Sequence, residues 1–143
     1  MSEQQSWLQV AAAGMDLLLS TQDLREVVAA MPVAPLPGRP QGIQGVVLYQ
    51  GEFLPILAWE DLPGCTIAPG RPVAVAVLRR RLGLPLDRMI GTLSPPPGAW
   101  QELELGDPRE RWLSGTCRLG GQTLLQVDPD RLIALLHRLR EGR

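Results

Sequence analysis

Few side chains in this sequence have the type and spacing that catalysis or metal binding requires. His137 is the only histidine, and the two cysteines, Cys65 and Cys117, lie far apart and fit no metal-ligand spacing. A general base or a nucleophilic thiol needs a partner that positions or activates it. Because His137 lies in a leucine-rich segment and Cys117 in a predicted strand, we expect a histidine on a helix surface and a packed thiol.

The charged clusters also have structural explanations. Asp128 and Asp130 flank Pro129, an arrangement typical of the start of a helix. The basic run Arg79–Arg81 is predicted to form a solvated turn at the end of a strand. The chain contains neither lysine nor a Gly-x-Ser-x-Gly segment, so it has neither the phosphate loop with its lysine nor the nucleophile elbow. We therefore predict a non-enzyme without cofactor or metal.

Composition restricts the class of protein further. The 143 residues carry 14 basic and 15 acidic side chains, for a net charge of −1. This balance disfavours nucleic-acid binding, which depends on uncompensated basic groups. No apolar run approaches the ~18 residues that a membrane-spanning helix needs, and the N-terminus resembles no secretory signal. We expect a cytoplasmic protein without direct membrane insertion, folded as one domain over residues 1–143 or as two subdomains sharing a core.

Short apolar runs bounded by glycine or proline predict a mainly β protein. Gln50-Gly51 and Gly120-Gly121 each separate two such runs and predict tight hairpins, because glycine tolerates a positive φ. The predicted strands are Trp7–Ala13, Met15–Leu19, Val46–Tyr49, Phe53–Ala58, Val73–Leu78, Trp112–Leu119 and Gln122–Val127. The tryptophans are expected mainly in the core, and one exposed at a partner surface would be an anchor. They are Trp7, Trp59, Trp100 and Trp112.

Two helices are predicted. Ser20 and Asp23 are placed to cap a short helix that continues through Leu24–Val27. Asp128 is a favourable N-cap for a longer C-terminal helix with Pro129 in its first position. The apolar positions of that helix follow one face: Leu132, Leu135, Leu136 and Leu139. Barrels or strongly bent sheets closed by a C-terminal helix are the expected architecture.

Several segments, taken in order, resemble the CheW-like domains, the coupling proteins of bacterial chemosensory arrays. Leu24–Val28 is similar to the family's segment of arginine or lysine, glutamate and a β-branched residue. Leu36–Val46 contains a Leu-Pro-x-x-Pro followed by Gly-Val, and Gln50–Ile56 is similar to Arg-Gly-x-x-x-Pro-Val. Leu82–Met89 and Leu124–Leu132 agree more loosely with a later strand and with the transition from the last strand to the C-terminal helix. The resemblance covers nearly the whole chain.

This resemblance implies two intertwined five-stranded SH3-like barrels with a short helix and a C-terminal helix. It also implies two partners, the regulatory domain of a CheA-like histidine kinase and the cytoplasmic tip of a chemoreceptor. The protein would catalyse nothing and would couple the two. By motif position, the expected partner-binding residues are Glu26, Gly45, Gln50, Gly51 and Asp87.

One departure from the family pattern leaves alternatives open. Gln50 stands where the family usually has an arginine that is associated with receptor contact, and glutamine cannot reproduce a bidentate guanidinium. A module that binds only the kinase, in an accessory or competing role, is therefore a second hypothesis. A small barrel enzyme or an oligonucleotide-binding barrel is a third, although the first lacks a catalytic set and the second a basic aromatic face.

Overall fold

The computed structural model describes residues 5–67 and 70–141, and within them the chain forms eleven strands and one α-helix. In chain order the elements are β1 (Trp7–Ala12), β2 (Met15–Ser20), β3 (Leu24–Ala29), β4 (Ile43–Tyr49), β5 (Glu52–Leu57), β6 (Ala74–Leu78), β7 (Gly83–Leu86), β8 (Arg88–Leu93), β9 (Trp100–Gln101), β10 (Leu113–Leu119), β11 (Gln122–Val127) and α1 (Pro129–Arg140). Single 3₁₀ turns lie at Trp59–Asp61, Pro97–Ala99 and Pro108–Arg111. The predicted mainly β architecture with a C-terminal helix is confirmed.

The described strands form two sheets that exchange chain segments. The first sheet has the order β8-β1-β2-β11-β10-β9, and the second has the order β3-β6-β7-β5-β4. The first sheet thus contains both the earliest and the latest strands, with β2 and β11 parallel, whereas the second is built from the middle of the chain. Five strands were predicted for each barrel, and β9, a two-residue strand, is the additional member of the first sheet.

The predicted short helix at Ser20–Val27 is wrong, because Leu24–Ala29 forms the strand β3. The capping signal is real but local: the Ser20 hydroxyl accepts a hydrogen bond from the backbone N–H of Gln22, within a turn at residues 21–23. After that turn β3 pairs along its length with β6. Val27 and Val28 are β-branched and favour such pairing, which overrides the weak helical propensity of the segment.

Two-residue turns join β1 to β2, β4 to β5 and β10 to β11. The turn residues of all these hairpins have positive φ, for example 49° at Gln50 and 80° at Gly51. Positive φ at both positions defines the type I′ turn, whose twist matches that of the flanking strands. The hairpins predicted at Gln50-Gly51 and Gly120-Gly121 are confirmed.

Both sheets and α1 contribute to one apolar core. Trp59 and Trp112 are almost fully buried in it, with ring centroids 5.9 Å apart. Each indole N–H donates to a backbone carbonyl, at 2.7 Å from Trp59 to Pro85 and 3.0 Å from Trp112 to Pro63. These bonds remove the cost of burying a polar N–H. Further apolar clusters lie inside each sheet, around Leu18 in the first and Ile56 in the second.

Helix α1 begins as the sequence predicts. The Asp128 carboxylate accepts hydrogen bonds from the backbone N–H groups of Asp130 and Arg131, both at 3.1 Å, and Pro129 occupies the first helical position. Leu132 and Leu135 are buried in the shared core. The helix therefore covers the junction of the two sheets with its leucine face.

Candidate partner-binding surface

The side chains with catalytic potential lie apart from one another. His137 is exposed on α1, and Cys117 is buried in β10. Cys65 is half-buried, and burial raises the pKa of its thiol to about 11, which disfavours the nucleophilic thiolate. Within residues 5–67 and 70–141 no group of three histidine, cysteine, aspartate or glutamate side chains is arranged to hold a metal ion.

The charged clusters have structural partners. The Arg79 Nε donates to the Gln22 carbonyl at 3.0 Å, in an exposed turn as predicted. Asp61 lies in the 3₁₀ turn after β5, where its carboxylate accepts from the Gly42 backbone N–H at 2.8 Å. These contacts fix loops in place.

Glu26 and Gln50, both expected to contact partners, are brought together although Glu26 lies on β3 and Gln50 in the turn between β4 and β5. Glu26 is exposed on β3, and its Oε2 accepts hydrogen bonds from the Tyr49 hydroxyl and, at 3.4 Å, from the Gln50 side-chain amide. The bond to Glu26 raises the pKa of the Tyr49 hydroxyl. The Arg25 guanidinium carbon lies 5.9 Å from the centroid of the same ring. Gly51 completes the exposed turn beside them.

This contact is possible because the second sheet curls until its two outer strands approach each other. Beyond β3, Ala34 forms a bridge with Val46 of β4, with both backbone hydrogen bonds at 2.9 Å. Gly45 lies beside the bridge and is buried. A Cβ at Gly45 would lie 2.3 Å from the Ala34 carbonyl oxygen, so glycine is needed for the close approach of the two segments.

The β4–β5 hairpin, which carries Tyr49 and Gln50, also exposes an apolar pair. Leu48 on β4 and Phe53 on β5 are direct cross-strand neighbours, with 64% and 70% of their surface exposed. Single exposed apolar residues are common, but a leucine and a phenylalanine paired on one hairpin face form a local apolar patch of the kind that anchors protein interfaces. We call Glu26, Leu48, Tyr49, Gln50, Gly51 and Phe53 the hairpin surface.

Sequence reasoning did not identify Leu48, Tyr49 or Phe53. The signal was present as a strand alternation: Val47 and Leu54 point into the core, which places Leu48 and Phe53 on the outward face. Three of the tryptophans are buried, and Trp100 is half-buried against Trp7, with ring centroids 4.9 Å apart.

Asp87, the fifth expected partner residue, lies outside the hairpin surface and connects the two sheets. Its carboxylate accepts from the Ala13 backbone N–H at 3.2 Å, and its own N–H donates to the Ala11 carbonyl at 2.8 Å. Both contacts are to the β1–β2 hairpin. Asp87 therefore attaches the link between β7 and β8 to the first sheet.

Comparison with known proteins agrees with this architecture. The family model of the CheW-like domain matches residues 6–137. The crystal structure of the scaffolding protein TtCheW from Thermoanaerobacter tengcongensis is similar, with a TM-score of 0.76 and 13% sequence identity over 90% of this chain and 86% of that one. A search of curated proteins finds no match. Among the described residues no helix is long and apolar enough to cross a membrane. The extent of the family match shows that the chain belongs to the CheW-like domain family.

Proposed function

We propose that this protein is a non-catalytic cytoplasmic adaptor that couples a CheA-like histidine kinase to chemoreceptors in a bacterial signalling array. Membership of the CheW-like family supports an adaptor role, and TtCheW is described as a scaffolding protein. The observation that carries the proposal for this chain is the hairpin surface, where Glu26 contacts Tyr49 and the same β4–β5 hairpin exposes an apolar pair. Such an arrangement suits protein recognition, because apolar anchors supply binding energy and charges at the rim supply orientation.

Glu26, Gln50 and Gly51 would contact a partner directly, together with Leu48 and Phe53. An interface of ordinary size buries about 800 Å² on each partner, far more than these side chains provide. The hairpin surface would therefore be the centre of a larger contact. Phe53 is the expected anchor, since it is the most exposed aromatic side chain described on this surface.

Gly45 and Asp87 are also proposed to act at partner interfaces, by their position in the family pattern. Their geometry supports an indirect contribution. Gly45 permits the bridge that brings β4 close to the segment after β3, and Asp87 attaches the two sheets to each other. Both would keep partner contacts in position within a single domain spanning residues 1–143.

The test is a calorimetric titration with the regulatory domains of the CheA-like kinases encoded in the source genome, followed by a receptor cytoplasmic fragment. We expect micromolar binding to one kinase domain and to the receptor. Phe53→Ala should weaken binding to at least one partner by about tenfold or more, equivalent to ~1.4 kcal/mol. Leu105→Ala is the matched control, because Leu105 is fully exposed outside the hairpin surface. Absence of binding to every kinase domain would refute the coupling role.

A second candidate function, binding to the kinase alone, is favoured by the Gln50 contact. The Gln50 amide is directed to Glu26 of its own chain, and Tyr49 donates to the same carboxylate oxygen. The Glu26 carboxylate is therefore less available to a receptor than a carboxylate without these hydrogen bonds would be. If this hypothesis holds, the native protein binds the kinase domain but not the receptor fragment, and Gln50→Arg creates receptor binding. Receptor binding by the native protein would exclude it.

A further inference from the structure

An apolar groove of about 330 Å³ lies between α1 and the second sheet. Its floor is formed by Leu36, Ile43, Pro55, Ile133 and Leu136. These side chains come from β4, β5, α1 and the loop before β4. Pockets that bind ligands usually combine such an apolar lining with a few polar groups at the edge.

The rim of this groove is basic. Arg80, Arg81, His137 and Arg140 line it, and none of the described residues in its lining is acidic. Arg80 pairs with Asp130, and Arg81 pairs with Glu52 at 3.0 Å, but both pairs are more than half exposed. Exposed ion pairs contribute little and exchange readily with other partners. The rim therefore favours a ligand with negative charge.

We propose that this groove binds an acidic peptide segment of a partner protein, with apolar side chains on the floor and carboxylates at the arginines. The inference goes beyond the proposed coupling function, because it requires neither the kinase nor the receptor. A peptide fits better than a lipid, since several carboxylates along a peptide can reach the several basic side chains of the rim, whereas a lipid carries its charge at one headgroup.

The groove is continuous with the hairpin surface. Pro55 lines the groove and Phe53 lies two positions earlier on β5, so both side chains emerge on the same face of the strand. Arg81 contacts Glu52 at the start of that strand. A peptide in the groove would therefore lie next to the exposed Leu48–Phe53 pair and could extend over it.

The test uses two fluorescein-labelled peptides and fluorescence anisotropy. One peptide repeats Glu-Leu-Leu-Glu, and its control has glutamine in place of every glutamate. We expect the glutamate peptide to bind at least about tenfold more tightly, with an affinity that falls as salt concentration rises. Equal binding of the two peptides, or no binding of the glutamate peptide, would overturn the proposal.

Matched substitutions on α1 locate the site. Ile133→Glu introduces a charge into the floor, whereas Ala134→Glu introduces the same side chain at an exposed neighbouring position. Arg140→Glu reverses a rim charge, and Arg138→Glu makes the same change outside the groove. Ile133→Glu and Arg140→Glu should weaken peptide binding about tenfold or more, and the two controls less than about twofold. Thermal unfolding verifies that each variant is folded.

The variants also provide an outcome that opposes the proposal. If each groove substitution and its control affect the peptide equally, binding occurs elsewhere and the groove assignment is wrong. Vesicles containing an anionic phospholipid serve as a separate probe. Vesicle binding that depends on Ile133 and Arg140, without peptide binding, would assign the groove to a lipid and overturn the peptide proposal.

Discussion

Substitution of Gly45 by alanine should destabilise the protein although it adds a single methyl group. The new Cβ would lie 2.3 Å from the Ala34 carbonyl oxygen and 2.7 Å from the nearest side-chain carbon of Val33. The carbonyl belongs to a bridge with Val46 and cannot rotate away as a flexible side chain does. The chain must therefore either break the bridge or accept an overpacked contact.

Breaking the bridge and accepting the overpacked contact cost a similar amount of unfolding free energy. Opening the bridge loses two backbone hydrogen bonds of 2.9 Å, each worth about 0.5–1.5 kcal/mol net. Retaining it imposes overpacking of about 1–3 kcal/mol. Alanine also lowers the conformational entropy of the unfolded chain, which offsets about 0.4–1 kcal/mol of this loss. We expect the free energy of unfolding of Gly45→Ala to fall by about 1–2 kcal/mol.

Urea unfolding followed by tryptophan fluorescence measures this change, with Gly98→Ala as the matched control. A Cβ at Gly98 would meet nothing within 4 Å, and its φ lies outside the left-handed region. The control should remain within about 0.5 kcal/mol of the native protein, or be slightly more stable. Equal stability of the two variants, within about 0.5 kcal/mol, would refute the close-approach argument.

Three further predictions concern single groups. Glu26→Gln should lower the raised pKa of Tyr49, because the charged acceptor that stabilises the protonated hydroxyl is removed. An ultraviolet titration measures this pKa directly, since Tyr49 is the only tyrosine. An unchanged pKa would contradict the contact. A Cys117→Ser variant leaves Cys65 as the single thiol. At about pH 8 Cys65 should react with iodoacetamide more slowly than free cysteine, since its pKa of about 11 leaves little thiolate. A rate equal to that of free cysteine would show an ordinary thiol. Leu132→Ala should cost about 2–5 kcal/mol of unfolding free energy by urea, because Leu132 is fully buried in the shared core, and a loss below about 1 kcal/mol would place it outside that core.

Elements specified by local signals could be predicted from the sequence. The hairpin at Gln50-Gly51 depends on turn chemistry, and the start of α1 depends on Asp128 and Pro129, so both followed from adjacent residues. The helix predicted through Leu24–Val27 is wrong, because the capping signal at Ser20 is local whereas the pairing of this segment with β6 is not. Strand propensity depends on neighbours that the sequence does not place.

The hairpin surface was predictable only in part, for the same reason. Family position indicated Glu26, Gln50 and Gly51, but the contact of Tyr49 with Glu26 depends on how the second sheet curls. Asp87 has no local signal for its bonds to Ala11 and Ala13, which join separate sheets. Such contacts follow from the tertiary arrangement of the strands.

The parallel pairing of β2 with β11 has a consequence for synthesis on the ribosome. Leu17 and Leu18 pair with Leu125 and Gln126, so the first sheet cannot close until nearly all of the described chain has emerged. The second sheet uses only strands from the middle of the chain and can assemble earlier. Meanwhile the apolar β1–β2 hairpin lacks its partners on both edges, β8 and β11. This interval exposes the nascent chain to edge pairing and aggregation, and favours slow folding or chaperone protection.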